Sequence, residues 1–236
     1  MRRTLGLAPA RIRGREYLDD PRADPQLAVR SLRDVARANR LFGGASAVLA
    51  ELRPVLAAAR RRDRPLTVLD VGAGAGDIVA RVRAEGERCG VVVRTLALEV
   101  THALAAACRR HAGDAVAGDA RALPFGDRSV DVVTCSQLLH HFDDVGVRAL
   151  LAELQRVARL RVIVADLRRA WAAAGGLWHA SWALGFHPVS RHDGVVSVLR
   201  GFRTHELADA VHAATGRHPI VRDRRGFRVT ACWSPQ

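Results

Sequence analysis

Between Leu66 and Ala165 the chain alternates short apolar runs with longer, more polar stretches, and this alternation restricts the fold more than any other feature. The apolar runs are Leu66–Val71, Val91–Leu98, Asp114–Ala117, Val130–Ser136 and Arg161–Ala165. Strands with so little alternating polar face must be covered on both sides. The stretches Asp77 to about Ala84, Thr101 to about His111 and Val145 to Ala158 read as helices, the second capped by Thr101. Strands separated by helices predict an α/β fold, a Rossmann-like, mostly parallel sheet with helices on both faces. Two later runs, Pro219–Arg222 and Phe227–Trp233, flank the turn-like Asp223-Arg224-Arg225-Gly226. They predict a C-terminal antiparallel hairpin that completes a seven-stranded sheet.

The flanks are less regular. Pro9, Pro21 and Pro25 among charges suggest a loosely packed lead-in over residues 1–25. Leu27, Val29, Leu32, Val35 and Ala36 space like one face of a helix from Gln26 to Leu41, which Gly43–Gly44 would stop. Ser46 is the expected cap of a second helix to about Arg60, kinked or restarted at Pro54. Residues 1–60 are therefore expected to form a tail and helices contributing to a substrate cap, and 61–236 one globular unit.

The junction after the first strand is Asp70-Val71-Gly72-Ala73-Gly74-Ala75-Gly76-Asp77. Glycines there let the chain turn tightly and let a ligand approach the backbone. Glu99 ends the second strand, where an acid can accept hydrogen bonds from both ribose hydroxyls. A dinucleotide or S-adenosylmethionine fits that much. Dinucleotide folds use Gly-x-Gly-x-x-Gly, whereas the spacing here is Gly72-x-Gly74-x-Gly76 behind Asp70, which can sit near a ligand's ammonium end. After the third strand comes Gly118-Asp119-Ala120-Arg121-Ala122-Leu123-Pro124-Phe125. An aspartate there can accept from an adenine amino group while the next backbone N–H donates to the ring.

These elements, with Leu138-Leu139-His140-His141-Phe142 behind them, resemble the class I S-adenosylmethionine-dependent methyltransferases over about residues 64–166. The branch is similar to the ubiquinone/menaquinone-biosynthesis methyltransferases and their small-molecule relatives. The resemblance implies S-adenosyl-L-methionine as cofactor and S-adenosyl-L-homocysteine as product. It implies that Asp70, Gly72 and Gly74 line the methionine moiety, that Glu99 holds the ribose beside Val100, and that Asp119 and Ala120 hold the adenine. Cys135, Ser136 and Gln137, at the end of the fourth strand, would supply backbone contacts to the amino-acid end. That branch often has aspartate where this chain has Glu99, whose longer arm still reaches. Arg40 is a candidate partner for the ligand's carboxylate, set against a plain surface arginine at a helix end.

Methyl transfer from a sulfonium is an in-line displacement that needs exclusion of water, alignment and, for a phenol or enol, a base. His140 and His141, after the fourth strand, are the candidates, with structural packing as the alternative. Trp171, Trp178 and Trp182 fall at i, i+7 and i+11, within about 40° of one another on a helix. They are expected either to wall an apolar acceptor pocket or to pack in the core, unless Gly175–Gly176 breaks the helix. Ser190-Arg191-His192-Asp193 reads as a polar loop, with His192 or Asp193 a candidate contact to the acceptor and a solvated loop as the alternative. The expected acceptor is a small, fairly apolar metabolite of secondary metabolism, methylated on oxygen or carbon: a phenol, polyketide or quinone-like molecule.

Two rival functions are weighed by what the chain contains. The formal charge is +13, and all 37 basic residues are arginine. Their short clusters at Arg60–Arg62, Arg168–Arg169 and Arg224–Arg225 read as a solvated surface rather than a polyanion track. An RNA or DNA methyltransferase is disfavoured: Cys135-Ser136-Gln137-Leu138 replaces the Asn/Asp/Ser-Pro-Pro-aromatic motif of amine-methylating enzymes, and no proline precedes Cys135. A non-catalytic S-adenosylmethionine-binding relative is the second rival. Cys89, Cys108, Cys135 and Cys232 form no Cys-x-x-Cys pair, so neither a metal site nor a disulfide scaffold is expected. Without a secretory leader or an uninterrupted apolar span (Ala170–Phe186 is broken by His179 and Ser181), a cytoplasmic location is expected.

Overall fold

The computed structural model describes residues 8–17, 20, 22 and 24–236. The seven strands are β1 (Leu66–Val71), β2 (Val93–Glu99), β3 (Asp114–Ala117), β4 (Val130–Ser136), β5 (Ala158–Leu167), β6 (Ile220–Arg224) and β7 (Arg228–Trp233). They form one sheet in the order β3-β2-β1-β4-β5-β7-β6. The first five are parallel, while β7 runs antiparallel to both β5 and β6. Chain direction across the sheet reverses between β1 and β4, which opens a crevice at the carboxyl ends of the strands.

The helices are α1 (Pro25–Leu41), α2 (Gly44–Ala59), α3 (Asp77–Arg88), α4 (His102–Ala112), α5 (Asp144–Val157), α6 (Trp171–Ala183), α7 (Pro188–Arg200) and α8 (Thr204–Thr215). Alternate strand residues serve opposite faces. Leu69, Val133, Val162 and Val164 pack with Leu150, Leu151 and Leu154 of α5 and Leu207 of α8. Val68, Val132 and Ile163 pack with Val48, Leu52 and Leu56 of α2 and Ile78 of α3. Each fully buried leucine contributes about 1.5–3 kcal/mol, so this two-sided burial is what holds the sheet. Among the described residues no single helix is long and apolar enough to cross a membrane.

Several sequence expectations are corrected. The expected loop at Ser190–Asp193 lies inside α7, which starts at Pro188 with His187 as cap. Proline at the first helical position explains the start. Gly175–Gly176 does not interrupt α6. Ser46 lies within α2, whose N-terminus is set by Gly43 at φ +79°, and Pro54 does not divide that helix. The lead-in over residues 1–25 falls partly outside the described residues. Its stretch 8–17 is a strap tied to the body: Arg169 donates to the Pro9 carbonyl at 2.8 Å, Arg203 to Ala8 at 2.6 Å, and Tyr17 N–H to Asp193 at 2.9 Å.

The elbow between α1 and α2 rests on the β6–β7 turn. A Cβ at Gly226 would overlap the Phe42 carbonyl, and one at Gly43 would lie 3.1 Å from the Arg225 carbonyl oxygen. Both glycines also have positive φ, which disfavours a side chain at either position.

Candidate active site

The carboxyl ends of four adjacent strands meet in the crevice. Asp70 on β1 stands in register with Ala97 on β2 and Thr134 on β4, and Glu99 pairs with Ala117 on β3. The glycine turn leaves β1 with Gly72, Gly74 and Gly76 all at positive φ. At Gly72 a Cβ would come within 2.8 Å of Leu138, and at Gly76 within 3.0–3.2 Å of His111 and Cys108. These two glycines therefore let the turn pack against the β4 loop and against α4.

Acids dominate the crevice although the chain is strongly basic. Asp70 is buried and accepts from Thr134 Oγ1 at 2.7 Å, leaving its Oδ2 without a partner. Burial, with Asp77 and Glu99 nearby, pushes its carboxyl up to about 7. Glu99 is also buried and raised by burial; it accepts from the backbone N–H groups of Gly74 and Val100. A buried carboxyl with a free oxygen, among other acids, suits a cationic ligand. The residues thus fit S-adenosylmethionine, whose ammonium and sulfonium are both positive. Asp70 would hold the ammonium, and Glu99 the ribose.

The adenine side is more open. Asp119 is exposed and engaged by Arg121, whose guanidinium lies 2.8 Å away and holds the carboxyl below its usual range. Ala120 is half-buried and Val100 exposed. On β4, Cys135 is buried and its thiol is driven well above its ordinary value by burial, so it is no nucleophile. Ser136 Oγ is buried without a partner. Gln137, at φ +55°, hydrogen-bonds Asn39 of α1, and Asn39 in turn reaches Asp77 at 3.5 Å. Arg40, next to Asn39 in the helix, is exposed. The sequence expectation for Arg40 is corrected accordingly: it is the buried Asn39 that faces the crevice, because residues adjacent in a helix point about 100° apart.

Beside the crevice, over β4 and β5, lies a cavity of about 370 Å³. Val35 and Phe42 line it from the α1 side, Leu177 and Val198 from α6 and α7, and Gln137 and Phe227 from the sheet side. The strap closes it with Glu16. No residue of α2 lines it; that helix covers the sheet instead. Of residues 1–60, then, the strap and α1 face the cavity.

His140 and His141 sit in a single 3-10 turn (Leu139–His141) after β4, with ring centroids 4.3 Å apart, and both line the cavity. His140 is buried, and its Nδ1 lies 2.7 Å from Asp166 Oδ1. Asp166 also accepts from the His140 and Leu167 N–H groups. Burial would raise the Asp166 carboxyl, but the charge and hydrogen bond of His140 outweigh it and hold the group below its ordinary value. When the ring is neutral, an ionised Asp166 fixes the Nδ1–H tautomer and leaves the Nε2 lone pair to accept a proton. Nε2 has no hydrogen-bond partner and lies 3.7 Å from Glu16 Oε1.

The three tryptophans do not line this cavity, which is a second correction. Trp171, Trp178 and Trp182 are 59%, 43% and 59% exposed on the outer face of α6. The cavity face of that helix is Ala172, Ala173, Gly176 and Leu177. Trp182 instead stacks under Arg191 at 3.6 Å. The spacing correctly put the rings on one face, but spacing does not say which face looks inward. His192 is exposed, pairs with Asp193 at 3.0 Å, and lines an open groove beyond the strap rather than the cavity.

A doubly wound sheet with an acidic, glycine-turned crevice at its switch point defines a nucleotide-binding α/β protein. Residues 68–161 match the family of methyltransferase domains. The chain is 38% identical over 96 residues to the ubiquinone/menaquinone biosynthesis C-methyltransferase UbiE of Methylobacterium nodulans, covering 38% of this chain and 34% of that protein. Among solved structures it resembles the CMeT domain of the citrinin polyketide synthase, with a TM-score of 0.63 and 13% identity over 93% of this chain and 59% of that one. It also resembles the plantazolicin methyltransferase BamL in complex with S-adenosylhomocysteine, with a TM-score of 0.60 and 11% identity over 88% and 74%. Over residues 68–161, then, the chain is similar to S-adenosylmethionine-dependent methyltransferase domains. It spans about a third of the length of the curated relatives it matches.

Proposed function

We propose that this protein transfers the methyl group of S-adenosylmethionine to a small, hydroxylated, fairly apolar acceptor, with His140 as the general base. The observation that carries the reading is the His140–Asp166 pair, 2.7 Å apart, with the imidazole Nε2 free of hydrogen bonds at the wall of the cavity and Glu16 3.7 Å from it. The cofactor, when bound, supplies a methyl group activated by its sulfonium.

The chain's residues do the rest. Asp70, Glu99 and the glycine turn hold the cofactor over β1 and β2, with Asp119 and Ala120 at its adenine, while Gln137 and Asn39 join that site to α1. The strap and α1 form the cap that keeps water from the cavity. His140 Nε2 takes the proton from an acceptor hydroxyl, and Asp166 stabilises the imidazolium that results. A phenolate or enolate is nucleophilic at oxygen and at the conjugated carbon. One base therefore serves either product, including the carbon methylation in the relative's name. A volume of about 370 Å³ suits a molecule of one or two rings, such as a phenol, quinol or short polyketide, better than a nucleotide within a strand. The four free thiols suit a reducing, cytoplasmic compartment.

The test uses S-adenosylmethionine tritiated on the methyl group and a panel of phenols and quinols. Transfer by the parent should fall about 10²–10⁴-fold in His140→Gln, and comparably in Asp166→Asn, where the imidazole tautomer is no longer fixed. S-adenosylhomocysteine affinity should stay within about two-fold in both, since the fall is in proton transfer. Undiminished transfer by His140→Gln would remove the base. Tight S-adenosylhomocysteine binding without transfer to any acceptor would favour a non-catalytic binding protein.

A further inference from the structure

Among the described residues three arginines are buried, and two of them have partners. Arg169 donates to the carbonyls of Pro9 and Gly201 and to Glu206, and Arg200 to the His140 carbonyl, with Glu16 at 3.4 Å. Arg228 differs. It opens β7, in register with Leu167 at the carboxyl end of β5, and it lines the cavity. The residue is 4% exposed, and its Nε has no hydrogen-bond partner; Arg62, Arg168 and Arg203 also leave one nitrogen unbonded, but each is less buried and bonds through another.

Burying a guanidinium without a counter-ion is costly, so an arginine in this position calls for an occupant. Asp166 acts on it through space, but the Asp166 carboxylate is already held by the His140 ring and by two backbone N–H groups. Burial pushes the Arg228 guanidinium down to about 10, which still leaves it charged at neutral pH. A planar fork of N–H donors matches a carboxylate in a way that a point charge does not.

We infer that Arg228 anchors a carboxylate carried by the acceptor, making the preferred substrate a hydroxylated aromatic or similarly conjugated acid rather than a neutral phenol. This deepens the acceptor site proposed above and rests on it. The acid would sit against Arg228 while the hydroxyl lies at His140 Nε2, so the two groups fix the acceptor's orientation in the cavity. The other source of the same chemistry is the methionyl carboxylate of the cofactor, because Gln137 borders both sites.

Calorimetry on the full chain separates these possibilities, with 6-hydroxy-2-naphthoate, its uncharged amide and S-adenosylhomocysteine as probes. The parent should bind the naphthoate at least ten-fold more tightly than the amide. Arg228→Met should bring the two within two-fold, and Arg228→Lys should keep part of the preference. S-adenosylhomocysteine affinity should change less than two-fold in either variant. The melting temperature of Arg228→Met should not drop, since that variant removes an unpaired buried charge. Should the methionine variant fail to fold, the lysine variant decides by the same ratio. Equal binding of acid and amide by the parent, or a preference that survives Arg228→Met, overturns the inference. A ten-fold loss of S-adenosylhomocysteine affinity with unchanged naphthoate binding also overturns it, assigning Arg228 to the cofactor. These are equilibrium readings. Naphthoate that binds through Arg228 without being methylated would count against the proposed transfer and leave the anchor standing.

Discussion

Glu16, on the strap that crosses the mouth of the cavity, places its carboxylate 3.7 Å from Nε2 of His140. It also accepts from Ser197 Oγ at 2.7 Å and lies 3.4 Å from Arg200. One side chain thus joins the strap to α7 and to the proposed base. Hydrogen bonds to a charged group contribute about 1.5–3 kcal/mol net. Glu16→Ala should therefore speed amide exchange across residues 8–17 by roughly ten-fold or more. Exchange measured by mass spectrometry on that peptide is the check, and unchanged protection would mean that the backbone ties alone hold the strap.

Asp70 gives cofactor binding a proton signature. Its carboxyl stands near 7 in the free protein, so at pH 6 it is mostly protonated. Pairing with an ammonium favours the ionised form. S-adenosylhomocysteine binding should then release up to about one proton at pH 6 and almost none at pH 8. Calorimetry in two buffers of different ionisation enthalpy measures this, and Asp70→Asn should abolish the release. The stability linkage has the matching sign. Between the unfolded value of about 3.9 and about 7 the native state keeps a proton that the unfolded chain has lost, so Asp70's contribution to stability falls as pH rises through that window.

The reassignment of α6 is testable at Gly176. A Cβ there meets nothing within 4 Å, and the residue lies at the cavity wall. Gly176→Phe should fill the space and weaken binding of a naphthol acceptor about ten-fold or more, at no cost in helix propensity. Trp171→Ala and Trp182→Ala should leave acceptor affinity within about two-fold, since exposed substitutions away from the site change little. A titration of the three variants against 2-naphthol decides the matter. Loss of binding in the tryptophan variants would restore the aromatic wall.

Stability at the opposite end of the sheet depends on Asp131. It is fully buried and meets Arg62 at 3.3 Å, Arg64 at 2.8 Å and Arg159 at 2.9 Å, besides the backbone N–H of Thr67. Burial alone would raise its carboxyl, but the Arg64 hydrogen bond and the other donors bring it down to about 2. Its stabilisation is therefore complete above the unfolded value of about 3.9 and disappears as pH falls towards 2. Asp131→Asn should cost about 2–3 kcal/mol, or about 5–10 °C in thermal unfolding at neutral pH. S-adenosylhomocysteine affinity should be unaffected.

Much of the sheet is legible in the sequence because its strands are apolar on both faces. Leu66–Val71 and Val130–Ser136 coincide with β1 and β4, and the glycine turn marks where the crevice opens. The helix α7 is not legible, since Ser190-Arg191-His192-Asp193 lacks an apolar stripe and only Pro188 signals a start. Asp166 reads merely as the residue after a strand; its pairing with His140 joins segments 26 residues apart. Arg228 is one arginine among 37, and composition hides it. The available signal is a charge opening a strand whose other members are largely apolar. Asn39 was masked by the more conspicuous Arg40 beside it.

The seat that Gly226 makes for the Phe42 carbonyl has an implication for how relatives diverge. The elbow leading out of α1 rests directly on main chain, so lengthening that C-terminal turn by a single residue would lift the roof over the acceptor and shift the wall that Phe227 supplies. Natural or designed changes in hairpin length are therefore a route to a different substrate range, felt at the cofactor crevice through the link from Asn39 to Gln137.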